Sequence, residues 1–460
     1  MIKSEIVDEA LHVSASYDVQ PDSCPACGVV GQLYRHAKQR QPFRDAPAFG
    51  RQVVIFVTRQ RWRCRECGTT FSQPLPDMDE RRKMTIRCRE YIAAQALLKP
   101  NTHVAEDVGV HEKVVRQIGA ENAEKLVTKH EAGLKAPRIL GIDELGLGGQ
   151  MRAIFVNIED SWPIELLTTR WEKPVLNFLL NLRDRDKVEV VTTDMWKPYR
   201  KAVRYAMPQA VLIVDKWHVQ RMANDVMEVA RRVYQGGAGI SKETRKQLKK
   251  GRSIFLKRPY VLSERQLLDL DGWLKNTPEL RGAYETKEAF MKIWDNRTAD
   301  EAKAALDAWK ASIPVHLQRL FRPVVTATRN WEDEILNYFR TGRQWTNAAT
   351  EGRNRVIKMT NRLGAGYAFE NIRARALFGK RPGRVKKERE AARLIALRTC
   401  ASCKALFDPL PNAPHIKAAP KRKRFRQPVP DPLVLCSDCH ELFNTDDVVT
   451  HGSLSTAKSE

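Results

Sequence analysis

Eight of the nine cysteines in this chain occur in four Cys-x-x-Cys pairs. Thiolates at this spacing favour tetrahedral zinc, because both sulfurs of one turn can reach the same ion. A glycine follows each of the first two pairs, as the tight turn of a zinc knuckle requires. The sequence therefore predicts two structural Zn²⁺ sites. Their ligands are Cys24, Cys27, Cys64 and Cys67 for site 1, and Cys400, Cys403, Cys436 and Cys439 for site 2.

Two aspartates that end predicted strands indicate a different chemistry. Asp143 closes the stretch LGIDEL, and Asp194 closes VTTDMW. If these strands are neighbours, roughly 4.8 Å apart, the two carboxylates face each other at the carboxyl edge of the sheet. A divalent cation would relieve their repulsion, and ligands that are all oxygen select Mg²⁺ or Mn²⁺. The adjacent Glu144 is expected to point to the other face of its strand.

A third carboxylate lies in a helical stretch that is otherwise basic and rich in amides, TNAATEGRNRVIKMTNRLGAGY. Glu351 shares its helix face with asparagine, arginine and lysine side chains, and a solvated salt-bridge face is the alternative interpretation. Placed beside Asp143 and Asp194, Glu351 would complete a site for two metal ions about 3.5 to 4 Å apart, which suits phosphodiester transfer. The helix would then offer DNA-backbone contacts from Asn354, Arg355 and Lys358, with Asn347 on the same stripe.

Asp215 and His218 are auxiliary candidates for the same site. Asp215 ends the stretch AVLIVD and precedes the helical KWHVQR. It either caps that helix or joins the metal ligands together with His218.

The elements that must position these residues follow a recognisable order. From residue 138 the pattern predicts three β-rich runs and then alternating helices and strands, which is the succession of a ribonuclease H-like core. We therefore expect an α/β fold in which helices cover the faces of a mixed sheet. The predicted domains are residues 1–80 zinc ribbon, 81–135 helix-turn-helix, 136–236 first part of the core, 237–340 all-α insertion, 341–385 last helix region of the core, and 386–460 basic linker with a C-terminal four-cysteine zinc module.

The helix-turn-helix is predicted for residues 102–122, where apolar positions flank Gly109. Its second helix would offer four polar side chains to a DNA groove, although a generic helical hairpin is the alternative. These candidate DNA-binding residues are His111, Lys113, Arg116 and Gln117. The insertion carries four tryptophans, which we assign to its core rather than to chemistry. They are Trp273, Trp294, Trp309 and Trp331.

The composition favours a polyanionic partner. The 460 residues include 79 Lys and Arg against 55 Asp and Glu, a formal net charge of +24. Such an excess favours binding to nucleic acid. No run of 18 apolar residues and no signal-peptide pattern is present, so we expect a cytoplasmic protein without a membrane partner.

Four motifs resemble, in order, the ISL-three family of bacterial insertion-sequence transposases. They are CPACG…WRCRECGTTF, GIDELGLGG, VTTDMWKPYRKAVRYAMPQAVLIVDKWHVQRMANDV and TNAATEGRNRVIKMTNRLGAGYAFENIRARALF, within roughly residues 20 to 380. The resemblance implies that Asp143, Asp194 and Glu351 form a DDE catalytic triad. It also implies Mg²⁺-dependent cleavage at terminal inverted repeats, followed by attack of the freed 3′ hydroxyl on target DNA.

The expected partners are double-stranded DNA, as terminal repeats and as target, and further copies of the chain in a homodimer or higher oligomer on the nucleoid. A non-catalytic DNA-binding regulator derived from a transposase is the alternative function. Carboxylates at all three triad positions favour the enzyme, because a pure DNA binder gains nothing from negative charge beside DNA. A nuclease without strand transfer would differ only in its products.

Overall fold

The computed structural model of the protein describes residues 3–364 and 366–379. The predicted basic linker and the second zinc site, with Cys400, Cys403, Cys436 and Cys439, lie outside the described residues.

The N-terminal region is built on a long antiparallel hairpin. Its strands are β3 (Leu33–Ala48) and β4 (Arg51–Cys64). A first hairpin, formed by β1 (Lys3–Val7) and β2 (Ala10–Tyr17), extends the sheet because β2 pairs in parallel with β4. The residues of β1, the edge strand of this sheet, are exposed, and those of β2 are mostly half-buried.

Three short strands and three helices complete this region. The strands are β5 (Thr70–Ser72), β6 (Met78–Asp79) and β7 (Met84–Thr85), and the helices are α1 (Ile86–Gln95), α2 (Asn101–Val108) and α3 (Glu112–Gly133). Gly109 turns the chain between α2 and α3 with a φ of 75°, as the predicted turn requires. The buried Val104, Val108, Val115 and Ile118 join the helices in one core.

A five-stranded mixed sheet forms the centre of the molecule. Its strands are β8 (Ile139–Leu147), β9 (Gln150–Asn157), β10 (Trp162–Leu166), β11 (Val190–Thr193) and β12 (Val211–Val214). The order is β10-β9-β8-β11-β12, in which the first three strands are antiparallel and β11 runs parallel to both β8 and β12. Gly148 and Gly149 both have positive φ, which suits the two-residue turn from β8 to β9.

Helices cover both faces of this sheet, so the mixed α/β architecture predicted from the sequence is confirmed. The helices that alternate with its strands are α4 (Glu172–Asn181), α5 (Lys197–Ala206) and α6 (Lys216–Gly236). Residues of α4 and α5, such as Val175 and Val203, share a core with Leu140 and Ile142 of β8. Residues of α6 share a second core with β11 and β12.

The segment predicted as an all-α insertion is helical. Its helices are α7 (Lys242–Lys250), α8 (Arg252–Leu256), α9 (Glu264–Asn276), α10 (Pro278–Lys292), α11 (Ala299–Ser312), α12 (Val315–Asn330) and α13 (Glu332–Arg340). Trp294, Trp309 and Trp331 are buried in its core, and Trp273 packs against it, as expected. Within residues 3–364 and 366–379, no helix has the length and apolar character needed to cross a membrane.

Two further helices, α14 (Ala348–Leu363) and α15 (Phe369–Phe378), return to the central sheet. Ile357 and Ile372 pack there against residues of β8 and β9. Helix α15 also contacts the predicted helix-turn-helix, because Arg375 donates hydrogen bonds to the Asn101 side chain and the Lys99 carbonyl, both at 2.9 Å. The helix that follows α14 thus joins the central sheet to the N-terminal helices.

Candidate active site and zinc cluster

The first predicted zinc site has its four sulfurs in one place. The sulfur atoms all lie within 4.8 Å of one another, and they belong to Cys24, Cys27, Cys64 and Cys67. The glycine after each pair adopts a positive φ and donates its amide to the first cysteine's carbonyl, which closes both knuckle turns. Hydrogen bonds from the Thr69 side chain and backbone lower the pKa of Cys67 to about 6, which favours the thiolate that zinc binds. The cluster fits Zn²⁺.

The acidic site gathers two of the predicted carboxylates and one auxiliary candidate. Asp143, Asp194 and His218 have ligand atoms within 4.8 Å of one another. Asp194 directly follows β11, as predicted. Asp143 was predicted at the end of its strand, but β8 continues to Leu147. The two aspartates still meet, because β11 pairs with β8 only along Ile139–Gly141 and leaves Asp143 beyond the last paired residue.

Burial is the main influence on both carboxylates. It raises the pKa of Asp143 to about 6, and the charges of Asp215 and Glu351 add to the rise. Burial also raises the pKa of Asp194 to about 7, with contributions from Glu144 and Asp143. Carboxylates in this state are poorly solvated, and a cation at the site would favour their ionised form.

His218 is held beside the aspartates by the start of α6. Its Nδ1 lies 3.5 Å from Oδ2 of Asp215, which is too long for a strong hydrogen bond. Burial lowers the pKa of His218, but contact with Asp215 and the charges of Asp143 and Asp194 outweigh it, and the net shift is upward. Asp215 occupies the N-cap position of α6, yet its side chain accepts no capping hydrogen bond. Of its two predicted roles, the capping one is wrong.

Glu351 approaches the same site from α14 but stays outside the compact group. It is half-buried, and its Oε1 is buried without a hydrogen-bond partner. Burial and the charge of Asp215 raise the pKa of Glu351, whereas His218 and Arg355 oppose the rise. An unpartnered buried carboxylate oxygen is costly, and a cation shared with the aspartates would satisfy it.

Two asparagines fix α14 on the sheet. Asn354 is buried and donates to Oδ2 of Asp143 at 2.9 Å. Asn347 is also buried, donates to the Ile142 carbonyl at 3.1 Å and accepts a hydrogen bond from Thr192. Asn354 was predicted to contact a phosphate backbone, but this buried amide is already bonded to Asp143, so that prediction is wrong.

Close approach of α14 depends on Gly141 in β8. A β-carbon at this position would lie 2.7 Å from Oγ1 of Thr350, 2.9 Å from Oδ1 of Asn347 and 2.5 Å from Ile158. Glycine is therefore required for the helix to carry Glu351 to the sheet. The other predicted DNA contacts of this helix, Arg355 and Lys358, are exposed.

Glu144 is nearer to the chemistry than the sequence indicated. It was expected to point away from the site, and its carboxylate is held by Arg170 at 2.5 Å. Its charge nevertheless adds to the upward pKa shift of Asp194. Arg170 also lies over the ring of Trp196, 4.3 Å from its centroid. Arg170 was not predicted, because no sequence pattern relates it to Glu144, which lies 26 residues earlier.

The four candidate DNA-binding residues at the start of α3 are all exposed. The His111 side chain caps the helix by accepting from the Lys113 amide at 3.1 Å. Arg116 forms an ion pair with Glu112 at 2.5 Å, and Gln117 faces solvent beside it. The side chains could reach a DNA groove. Arg116 would first have to leave the Glu112 carboxylate.

The chain resembles known transposases over most of its length. Residues 140–376, just over half of the chain, match the ISL3 family model described as transposase. Residues 20–67, which hold the cysteine cluster, match the model described as the zinc finger of transposases IS204, IS1001, IS1096 and IS1165.

Individual relatives agree with the family models. The transposase for insertion sequence element IS1001 of Bordetella parapertussis is 21% identical over 77% of this chain and 88% of its own length. The transposases for IS1557 from two Mycobacterium tuberculosis strains, CDC 1551 and H37Rv, are 25% identical over 39% of this chain and 47% of theirs. The matched segment carries the strands and helices that hold Asp143, Asp194 and Glu351, so the chain belongs to the ISL3 family of insertion-sequence transposases.

Proposed function

We propose that this transposase binds the terminal inverted repeats of its element and catalyses Mg²⁺-dependent DNA cleavage and strand transfer in a ribonuclease H-like core. The observation that carries the proposal is the convergence of Asp143, Asp194 and His218 within 4.8 Å. Glu351, with its unpartnered buried oxygen, approaches the same place from a separate helix. Asp143, Asp194 and Glu351 are the proposed catalytic triad.

The residues present fit divalent metal ions. Carboxylates supply most of the donors, as Mg²⁺ and Mn²⁺ prefer, and His218 is an auxiliary candidate whose nitrogen suits Mn²⁺ better than Mg²⁺. Asp143, Asp194 and Glu351 would hold two ions. When bound, such ions supply charge stabilisation for the oxygens that attack and leave the phosphorus.

The protein's own residues orient this site. Asn354 holds the Asp143 carboxylate through its amide, and Asn347 keeps α14 against β8. The Asp215 carboxylate lies 3.5 Å from Nδ1 of His218. Arg355 and Lys358, exposed on α14, contact the DNA backbone near Glu351 in this proposal.

The N-terminal region supplies DNA recognition in this proposal. Helix α3 presents His111, Lys113, Arg116 and Gln117 to the groove, and Zn²⁺ holds the four-cysteine knuckles together. Several protomers assemble on the DNA ends. The excess of basic residues over the whole chain supports a partner with a phosphate backbone.

Replacing Glu351 with Gln tests the catalytic assignment. Glu351→Gln keeps the shape of the side chain but removes its charge, so we expect loss of cleavage with end binding nearly intact. Both can be measured on a duplex that carries the inverted repeat. Glu285→Gln, the same change at an exposed residue of α10, serves as the control. Equal cutting by Glu351→Gln would refute the assignment, and binding without cleavage by the wild type would support the non-catalytic regulator.

Replacing Arg116 with Ala tests the recognition helix separately. If Arg116 reads a base, Arg116→Ala lowers affinity for the inverted repeat about 5- to 150-fold and leaves cutting of bound DNA unchanged. Affinity can be followed by fluorescence anisotropy at a fixed salt concentration. Unchanged affinity would show that the start of α3 does not enter the groove.

A further inference from the structure

An exposed tryptophan lies directly beside the acidic site. Trp217, in the first turn of α6, is 46% exposed. Its ring is 4.9 Å from that of His218 in an edge-on arrangement, and His218 belongs to the group with Asp143 and Asp194. Tryptophan is enriched at binding interfaces, because its ring offers a large apolar face together with one hydrogen-bond donor.

A cation lies over one face of the Trp217 ring. The guanidinium carbon of Arg221, one turn further along α6, lies 5.3 Å from the centroid of the Trp217 ring. The Arg221 side chain is 59% exposed, and its contact with Asp225 is long, at 3.7 Å. The pair therefore offers a flat aromatic ring and an exposed positive charge side by side.

Packing does not account for this exposure. Trp294 and Trp309, in the insertion, are only 5% and 3% exposed and serve its core. Trp217 instead sits at the rim of the site where, under the proposed function, the scissile phosphate binds. A nucleotide attached to that phosphate places its base within about one sugar-phosphate unit of the site.

We propose that Trp217 and Arg221 hold an unstacked nucleotide next to the bond that is cut, with the indole on the base and the guanidinium toward its phosphate. The inference rests on the proposed function, because it takes the scissile phosphate to bind beside His218. Stacking on aromatic side chains is the sequence-tolerant way in which proteins bind single nucleotides. The duplex end must therefore open at this point before cleavage.

The test combines Trp217→Ala with DNA that lacks one base. On an intact inverted-repeat duplex, we expect the variant to bind and cut about 5- to 150-fold less well than the wild type, the range measured for stacked bases. A set of duplexes then carries a single abasic site at successive positions around the cut bond. At one abasic position the wild type should lose its advantage. The ratio of wild-type to variant affinity, and the ratio of their cutting rates, should then fall to about one.

Two further variants exclude trivial explanations. Trp217→Phe retains a ring and should keep most of the activity. Tyr260→Ala removes an exposed aromatic residue that also lies near an arginine, Arg258 at 5.5 Å, but in the insertion, and should have no effect. A ratio that stays the same at every abasic position would overturn the inference, because Trp217 would then act through the fold or through His218. If the wild type does not cut DNA, the proposed function fails first, and the same ratios taken from dissociation constants still decide whether Trp217 stacks on a base.

Discussion

The two candidate metal sites within the described residues of this transposase are assembled in opposite ways. The cysteine cluster is formed by two short turns, and its most distant ligands, Cys24 and Cys67, are 43 residues apart. The acidic site draws its groups from β8, the end of β11, the start of α6 and, at its edge, α14, so that Asn354 reaches Asp143 across 211 residues. One site is set by local turns, and the other by the packing of the whole core.

This difference teaches what each site depends on. The knuckle turns place both cysteines of a pair by backbone hydrogen bonds, and the ion itself joins the two pairs. The acidic site is positioned by contacts within the protein, through buried amides and the close approach at Gly141. We therefore expect zinc to be part of the N-terminal fold, whereas the position of the catalytic carboxylates depends on the packing of the core.

Removal of zinc should have the largest effect. Cys24→Ser should lower the zinc content by one equivalent and make the N-terminal strands sensitive to protease, because structural zinc contributes about 10 kcal/mol to such folds. Cys88→Ser, at a buried cysteine outside the cluster, should keep all the zinc. Zinc content by mass spectrometry and limited proteolysis measure these outcomes. Full protease resistance of Cys24→Ser would show that the ribbon folds without its ion.

Filling the contact between α14 and β8 should have the next largest effect. Gly141→Ala places a methyl group against Thr350 and Ile158, which we expect to destabilise the protein by about 1 to 3 kcal/mol and to abolish cleavage. Gly146→Ala in the same strand is the control, because its nearest contact would be Met151 Sδ at 3.4 Å. Denaturant unfolding and a cleavage assay test both variants. Normal cutting by Gly141→Ala would mean that the position of α14 is not critical.

In the absence of divalent metal ions, neutralising Asp194 should stabilise the protein. The folded-state pKa of about 7 lies above that of an unfolded aspartate, so ionisation costs stability as pH rises from about 4 to 7. Asp194→Asn removes this cost, and without divalent ions it should be about 1 to 3 kcal/mol more stable than the wild type at pH 8. The advantage should shrink steadily as pH falls toward 4. Thermal unfolding in EDTA measures it, and a gain independent of pH would contradict the explanation.

Release of Arg116 from its partner should have the smallest effect. Glu112→Gln removes an exposed ion pair and should change the unfolding temperature by about 1 °C or less. DNA affinity should rise, because Arg116 no longer has to leave a carboxylate. Glu124→Gln on the same helix changes the charge equally at another exposed position and separates pairing from net charge. An equal rise in both variants would show that only net charge matters.

Sequence reasoning succeeded where the information is local. Cysteine spacing, the Gly109 turn and the order of strands around Asp143 and Asp194 can be read from short windows, and the structure contains these turns and this strand order. The partners of individual side chains were not predictable in this way. The amide of Asn354 looks like a DNA contact on a helical wheel, and only the packed helix shows that it bonds to Asp143.

The same limit explains the other differences. Arg170 and Glu144 are brought together by the sheet, and no periodicity relates them. The hairpin of β1 and β2 has no buried apolar face and gains its place through pairing with β4. Asp143 meets Asp194 because β11 is short, which is a property of where a neighbouring strand stops.

The contacts of α15 have a consequence for where the DNA is cut. Arg375 bonds to Asn101 and to the Lys99 carbonyl, and Arg373 bridges Glu131 of α3 and Glu165 of β10. Helix α3, which would read the repeat, and helix α14, which bears Glu351, are thus both held against the central sheet. Under the proposed function these contacts fix the distance from α3 to the catalytic carboxylates. The number of base pairs between the recognised sequence and the cut bond is then constant.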